Sequence, residues 1–207
     1  MKTNTSIFSL LLSALAAGTL MLSAQGAAYI KFDGVDGESQ DKDHKAWSDL
    51  LSFSQAVHQP GGGATGQSRR RGDVILDDIV IVRQLDKSSP KLAESVMLGK
   101  VFPSILVNFT RDTDEGRVTY YRYELKNVMV TSYSVNIQVD DAGNDVPVEQ
   151  FSLNFEEIKV TYTETDNTGG KKGNIEYSWK VEEGEAIVAP NDDLTPVREA
   201  VNVLVAQ

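Results

Sequence analysis

The 207-residue sequence contains no cysteine. That excludes disulfides, thiol nucleophiles, Cys-ligated zinc and iron–sulfur clusters, and it removes the usual lipoprotein anchor of bacteria. Two histidines, His44 and His58, are too few for a three-His metal site within one chain. Basic charge is scarce as well. Twenty Lys+Arg stand against thirty Asp+Glu, a net charge of −10, whereas a binder of nucleic acid or anionic membrane carries a basic footprint. No nucleic-acid partner and no cofactor are therefore expected. What remains is an ordinary globular composition, 41% hydrophobic and 24% charged, of a length suited to one domain plus tails.

Residues 1–26 read as an address. Lys2 is the only charge before Lys31, an apolar run follows from Ile7 to Leu22, and small residues stand at Ala24, Gly26 and Ala28. This is the pattern of a secretory signal peptide cleaved after Gly26 or Ala28. The run holds about 16 residues and includes Ser13, Gly18 and Thr19, short for a permanent span. The expected location is thus secreted or periplasmic, with no membrane contact after cleavage. Translation from Met21 would delete the run and leave a cytoplasmic protein.

Residues 27–182 carry the periodicity of a β protein. Tyr29 and Lys31 alternate with Ile30 and Phe32, and Trp47–Val57 reads as a second strand. Val74–Leu85 is rich in Val and Ile and reads as a strand covered on both faces. Ile105, Val107 and Phe109 alternate, and Val118–Tyr123 and Val128–Val139 read as two further strands. Between Val148 and Thr163 the apolar parity switches at Glu156-Glu157, which predicts a bulge. Ile175, Tyr177, Trp179 and Val181 alternate most clearly of all. One helix is predicted over Ser89–Gly99, with Ser89 as cap, Pro90 in the first turn, Gly99 as stop, and Leu92/Val96 and Ala93/Met97 on one face. About eight short strands and one helix suggest a barrel or a sandwich. Residues 183–207 form a tail in which 196–205 read as a short helix, with Val197, Ala200, Val201 and Leu204 sharing a face.

Few segments suggest chemistry. The acidic stretch Asp33, Asp36, Glu38, Asp41, Asp43 offers oxygen ligands for calcium, but its spacing departs from the EF-hand and an acidic surface turn explains it equally well. His44 and His58 lack a serine elbow or an HExxH partner and read as surface histidines. Gly61–Gly66 lacks the Gly-Lys-Ser/Thr ending of a phosphate loop and reads as a flexible connection. Tyr120, Tyr121 and Tyr123 lie on a strand and read as core and interface packing. Arg69, Arg70 and Arg71 are the one dense basic run in an acidic protein. They are either a solvated surface run or an intermolecular contact, with Asp140, Asp141 and Asp145 of a neighbouring copy as partners.

Four segments resemble the Hcp family, the haemolysin-coregulated proteins that build the inner tube of type VI secretion systems. They are Gly37–Trp47, Leu51–Val57, Leu85–Lys100 and Pro147–Asp166, in the family's order, and the resemblance covers about residues 28–182. It implies a mainly β fold, two antiparallel sheets closed into a β-barrel with one α-helix packed outside. It further implies homo-oligomerisation into hexameric rings that stack into a tube, meet effector or spike proteins and carry effectors. No catalytic residue comes with it, so no enzyme is expected. Gln55–Val74, which includes Arg69–Arg71, matches the family's extended inter-ring loop. Two features depart from the pattern: the signal peptide, unusual for a subunit assembled in the cytoplasm, and the tail at 183–207. They support a second expectation, a secreted ring-forming or binding module that works without an injection machine. An enzyme with its site in the tail or at a subunit interface is a third reading, and no motif supplies its acid/base pair.

Overall fold

The computed structural model describes residues 26–59, 74–181 and 185–186. The expected signal peptide, the Gly61–Gly66 loop, Arg69–Arg71 and the helix at 196–205 lie outside the described residues.

Alternating apolar residues make strands throughout. In chain order they are β1 (Ala28–Phe32), β2 (Ser48–Leu50), β3 (Ser52–Ser54), β4 (Val57–His58), β5 (Ile75–Leu76) and β6 (Ile79–Gln84). After the helix α1 (Ser89–Leu98) come β7 (Val101–Thr113), β8 (Gly116–Val139), β9 (Asp145–Asn154), β10 (Glu157–Thr165), β11 (Lys171–Lys180) and β12 (Glu185–Ala186). All pairings are antiparallel. One lobe runs β2-β1-β7-β8-β10-β11-β12, and the far half of β8 starts a second lobe, β8-β9-β6-β3, within the same ten-stranded sheet. β4 and β5 form a separate two-stranded ribbon.

The ladders do not form the expected closed barrel: among the described residues no sheet closes on itself. The expected strand Trp47–Val57 is instead three short pieces. Leu51 bends away between β2, which pairs with β1, and β3, which pairs with β6, while its own amide donates to the Val82 carbonyl at 2.9 Å. The expected strand Val74–Leu85 likewise splits into β5 and β6. In β6 one face is buried, carrying Ile79, Ile81 and Arg83, rather than both.

Val118–Tyr123 and Val128–Val139 are not two strands but one. β8 passes straight through Asn127, whose φ of 50° lies in the left-handed region that Asn tolerates better than most residues. The buried parity of β8 switches there, from Tyr123 and Leu125 to Val128 and Val130. The facing strand switches at the same level, from Ile158 and Val160 in β10 to Leu153 and Phe151 in β9. The parity change predicted at Glu156-Glu157 is therefore real, but the register does not slip: Glu157 pairs with Lys126 and Asn154 with Met129 in unbroken count. The actual register shift lies between Val130 and Ser132. Asn127 Nδ2 donates to Glu156 Oε2 at 2.6 Å and ties the two switch points together.

The helix forms where the sequence places it, with two corrections. Ser88, not Ser89, is the cap residue, and Ser89 Oγ instead accepts from the Asp86 amide at 2.9 Å. Met97 is 84% exposed, so the buried face is Ser89, Leu92 and Ser95 with Val96 beside it. Gly99 at φ 60° stops the helix as expected, a left-handed position that costs glycine little.

The core lies between the lobes. Phe32 of β1 meets Phe102 of β7 edge-on at 5.3 Å and Phe151 of β9 at 5.8 Å, joining the two sides.

Candidate functional site

The most heavily buried charges sit where β6, β9 and the start of α1 meet. Arg83 and Glu149 face one another in the β6–β9 ladder. Each lies on the buried parity of its strand, two residues from Ile81 and Phe151 respectively. Arg83 is 0% exposed and donates from Nε to Glu149 Oε1 at 2.6 Å, from Nη2 to Ser88 Oγ at 2.6 Å and from Nη1 to Asp86 Oδ2 at 3.2 Å. Tyr133 donates to the other Glu149 oxygen at 2.6 Å. Burial, reinforced by that carboxylate, pushes the Tyr133 hydroxyl well above the usual tyrosine range. Burial alone would raise the Asp86 carboxyl, but hydrogen bonds from Ser48 and Ser88 and the charge of Arg83 hold it below the usual carboxylate value. Every atom of this cluster that could bind or transfer a proton is spent on another, which makes it a clamp on the helix rather than a reactive centre.

His44 corrects a sequence expectation. It is not a surface histidine but 4% exposed, with its ring stacked on Tyr29 at 4.1 Å and set edge-on to Trp47 at 5.0 Å. Nδ1 lies 2.8 Å from Asp41 Oδ1, and Nε2 lies 3.0 Å from Asn108 Nδ2. Arg122 Nε donates to Asn108 Oδ1 at 3.0 Å, which aims the amide NH2 at the histidine. Nε2 must then accept, so the ring is neutral with its proton on Nδ1, as assigned from this network. An Asp–His pair of this shape would suggest a general base, but with both ring nitrogens occupied none is available. Burial tends to raise the Asp41 carboxyl, and hydrogen bonds from His44 and the Asp43 amide more than offset it. His58 is exposed, as expected, 3.0 Å from Asp77.

The acidic stretch is cross-linked by cations and polar groups rather than gathered around an empty centre. Lys31 Nζ holds Asp36 at 2.6 Å, and Asp41 is taken by His44 and Tyr29. Among the described residues, no group of three or more His, Asp or Glu is placed to hold a metal. Gly37 is the one glycine here fixed by close approach, since a Cβ would collide with the Trp47 carbonyl.

The remaining candidates are surfaces. Past Tyr133 the β8–β9 hairpin leaves the core, and Val135, Ile137 and Val139 share one face with Pro147, all exposed. The hairpin ends in Asp140, Asp141 and Asp145, the acids expected to meet the arginine run, and all three are exposed. Asp140 is partly committed already. Its carboxylate accepts from Asn144 Nδ2 and from the Asn144 and Ala142 amides, which lowers its pKa.

The tyrosines divide. Tyr123 is buried, and burial pushes its hydroxyl far upward; Tyr121 is half-buried, and Tyr120 lies under the Arg111 guanidinium at 5.2 Å. Tyr121 and Tyr123 belong to rows of like-facing side chains that cross the first lobe. One row is Ile30, Val107, Tyr123, Val160 and Tyr177; the next is Ala28, Phe109, Tyr121, Tyr162 and Ile175. Cover fails at the β11 end, where Tyr177 is 50% and Ile175 73% exposed.

With this geometry in hand, known proteins give a consistent match. A family model described as type VI secretion system effector, Hcp, fits residues 29–162. The chain belongs to the Hcp family. Protein hcp1 of Pseudomonas aeruginosa is 31% identical over 154 residues, 74% of this chain and 93% of that protein. A solved type six secretion system protein superposes with a TM-score of 0.69 at 25% identity, covering 79% of this chain and 100% of that one. Hcp1 from Salmonella typhimurium shares the fold, with a TM-score of 0.63 at 23% identity over 80% of this chain and 100% of its own. The Hcp match of the family model ends inside β10, so β11, β12 and everything after them lie beyond it.

Proposed function

We propose that this Hcp-family chain is a structural subunit that assembles into hexameric rings, and that the rings stack into a tube carrying effectors. The observation that carries the reading is the β8–β9 hairpin. It has an exposed apolar face of Val135, Ile137, Val139 and Pro147 and an acidic tip, which no fold of the single chain needs. Contiguous exposed apolar surface rimmed by charge marks a contact between proteins. The acidic tip and the basic run Arg69–Arg71 are of opposite sign, so like subunits can engage head to tail. Purified protein is expected to run as a particle of six chains, with stacked rings visible by electron microscopy. Replacing Arg69, Arg70 and Arg71 together by alanine should leave the rings intact and shorten the stacks, and added salt should do the same to the native protein. A monomer at every concentration would defeat the ring reading. Stacks indifferent to both the substitutions and salt would defeat the charge-paired contact.

A second reading comes from the N-terminal segment: a secreted ring or binding module acting outside the cytoplasm. Intact mass of the native protein from fractionated cells separates the two. A chain beginning at Ala27 or Tyr29 in the periplasm or medium supports the secreted module. A chain retaining its start, or beginning at Met21, in the cytoplasm supports the tube subunit.

A further inference from the structure

His44 and Asn108 are buried polar side chains, 4% and 3% exposed. Neither enters the proposed assembly, yet together they join a titratable group in the interior to an arginine on the surface. The order of the bonds is fixed from the outer end. A guanidinium only donates, so Arg122 Nε, 3.0 Å from Asn108 Oδ1, holds the amide oxygen toward itself. The amide NH2 is thereby committed to His44 Nε2 at 3.0 Å, and the ring proton to Asp41 Oδ1 at 2.8 Å. This sequence of donors admits only a neutral imidazole. Histidine is also the side chain whose ordinary titration falls between about pH 5 and pH 8. The titratable and charged groups around the ring come from four elements. Asp41 approaches from its own loop, whose Lys42, Asp43 and Lys45 are exposed, and Tyr29 comes from β1 and Asn108 from β7. From β8 come Arg122 and Arg117. Arg117 lies 3.7 Å from Asp41 Oδ2, donates to the Tyr29 hydroxyl at 2.9 Å and is itself held by Asp112 at 2.9 Å.

We propose that His44, Asn108 and Arg122 form a proton-driven switch. A second proton on the ring, taken from solvent, makes Nε2 a donor and sets it against the Asn108 NH2. The ring is held in place, stacked on Tyr29 at 4.1 Å and bound more tightly to Asp41 once both are charged. Asn108 is the group that yields, because its oxygen and nitrogen exchange places with almost no change of shape. The turned amide then meets Arg122 donor to donor, and Arg122 lets go. It has a destination. Glu124 Oε1 lies 3.7 Å from its Nη1, and the two border a surface cavity of about 250 Å3 with Lys159, Thr161 and Glu176. Arg122 thus passes from Asn108 to Glu124, and a proton taken up in the interior rewrites the charge pattern on the outer face of β8 and β10.

The scarcity of histidine makes a direct test clean. In the full chain, the exposed His58→Gln leaves His44 as the only imidazole, and its ring nitrogens report charge by nuclear magnetic resonance. Between about pH 8 and about pH 5, exchange of the Arg122 Nε–H with solvent should quicken at least tenfold relative to the Arg117 Nε–H, along the same curve as the ring. Arg117 Nε is bonded to Asp112, outside the switch, and the ratio cancels the general effect of acid on exchange. A constant ratio while the ring charges would overturn the proposal. So would a ring that stays neutral until the fold is lost, because the network would then be a lock. Asn108→Asp separates the relay from mere proximity. A carboxylate accepts from both neighbours at once, so the His44 midpoint should rise by about one pH unit and the Arg122 ratio should become flat. An Arg122 that still loosens in step with His44 in that variant would also defeat the switch. Both readings are made on one chain and stand or fall apart from ring formation.

Discussion

Arg83→Ala is expected to lower the stability of the fold by about 3–5 kcal/mol, the usual cost of breaking a buried ion pair by removing one partner. The size reflects the groups left behind. Glu149 is itself 0% exposed and would be left with the Tyr133 hydroxyl as its remaining side-chain partner. Ser88 and Asp86 would lose the cation that fixes the start of α1, and Phe151 would lose the guanidinium 5.5 Å from its ring centre. The measurement is the denaturant midpoint of the variant against the parent. The companion variant Arg83→Met with Glu149→Leu removes both charges and keeps apolar bulk, so it should recover more than half of the loss. A double variant as unstable as the single one would mean that the cost lies in shape rather than in orphaned charge.

Phe32→Ala is expected to cost about as much, roughly 3–5 kcal/mol, by a different route. Phe32 is 2% exposed and its ring is the wedge between Phe102 in one lobe and Phe151 in the other. Alanine leaves a void bordered by β1, β7 and β9. All three are pinned by ladders on both sides, and a site that cannot collapse sits at the high end of the cavity range. Phe32→Leu retains most of the volume and should cost less than about 1.5 kcal/mol. Thermal unfolding of the two variants side by side checks the ratio. Equal losses would show that the ring's edge contacts, not its volume, matter at this position.

Local signals were the legible ones. The helix could be read because Pro90 and Gly99 are local punctuation, and β11 because Ile175, Tyr177, Trp179 and Val181 alternate without interruption. The family was legible from four motifs, and the matches bear it out. What escaped depends on distant partners. His44 lies in a run of charged residues, and its burial depends on Tyr29 and Asn108, distant in the chain. The sequence reads as two strands broken between Tyr123 and Val128, yet the chain runs on through Asn127, whose positive φ is supported by Glu156 on the facing strand. The Arg83–Glu149 clamp did leave a trace, a charge on the buried parity of each strand, but it becomes visible only once the two strands are paired. The three arginines stand outside the described residues, so the contact proposed for them rests on charge alone.

β8 and the strands facing it change their buried side at one level, with the count between them intact from Tyr121 to Val130. One beam therefore serves as a wall of both lobes. Neither lobe can open far without fraying a ladder that the other also uses, so this chain should melt as one cooperative unit rather than in two stages. The same arrangement restricts how its length can change. A residue inserted into β8 alone near Asn127 would turn one half of the beam inside out, because a slip of one position sends every apolar side chain to the wrong face. Lengthening would be tolerated only as a matched pair, one residue in each arm, or out at the Asp140–Asp145 tip where nothing is buried.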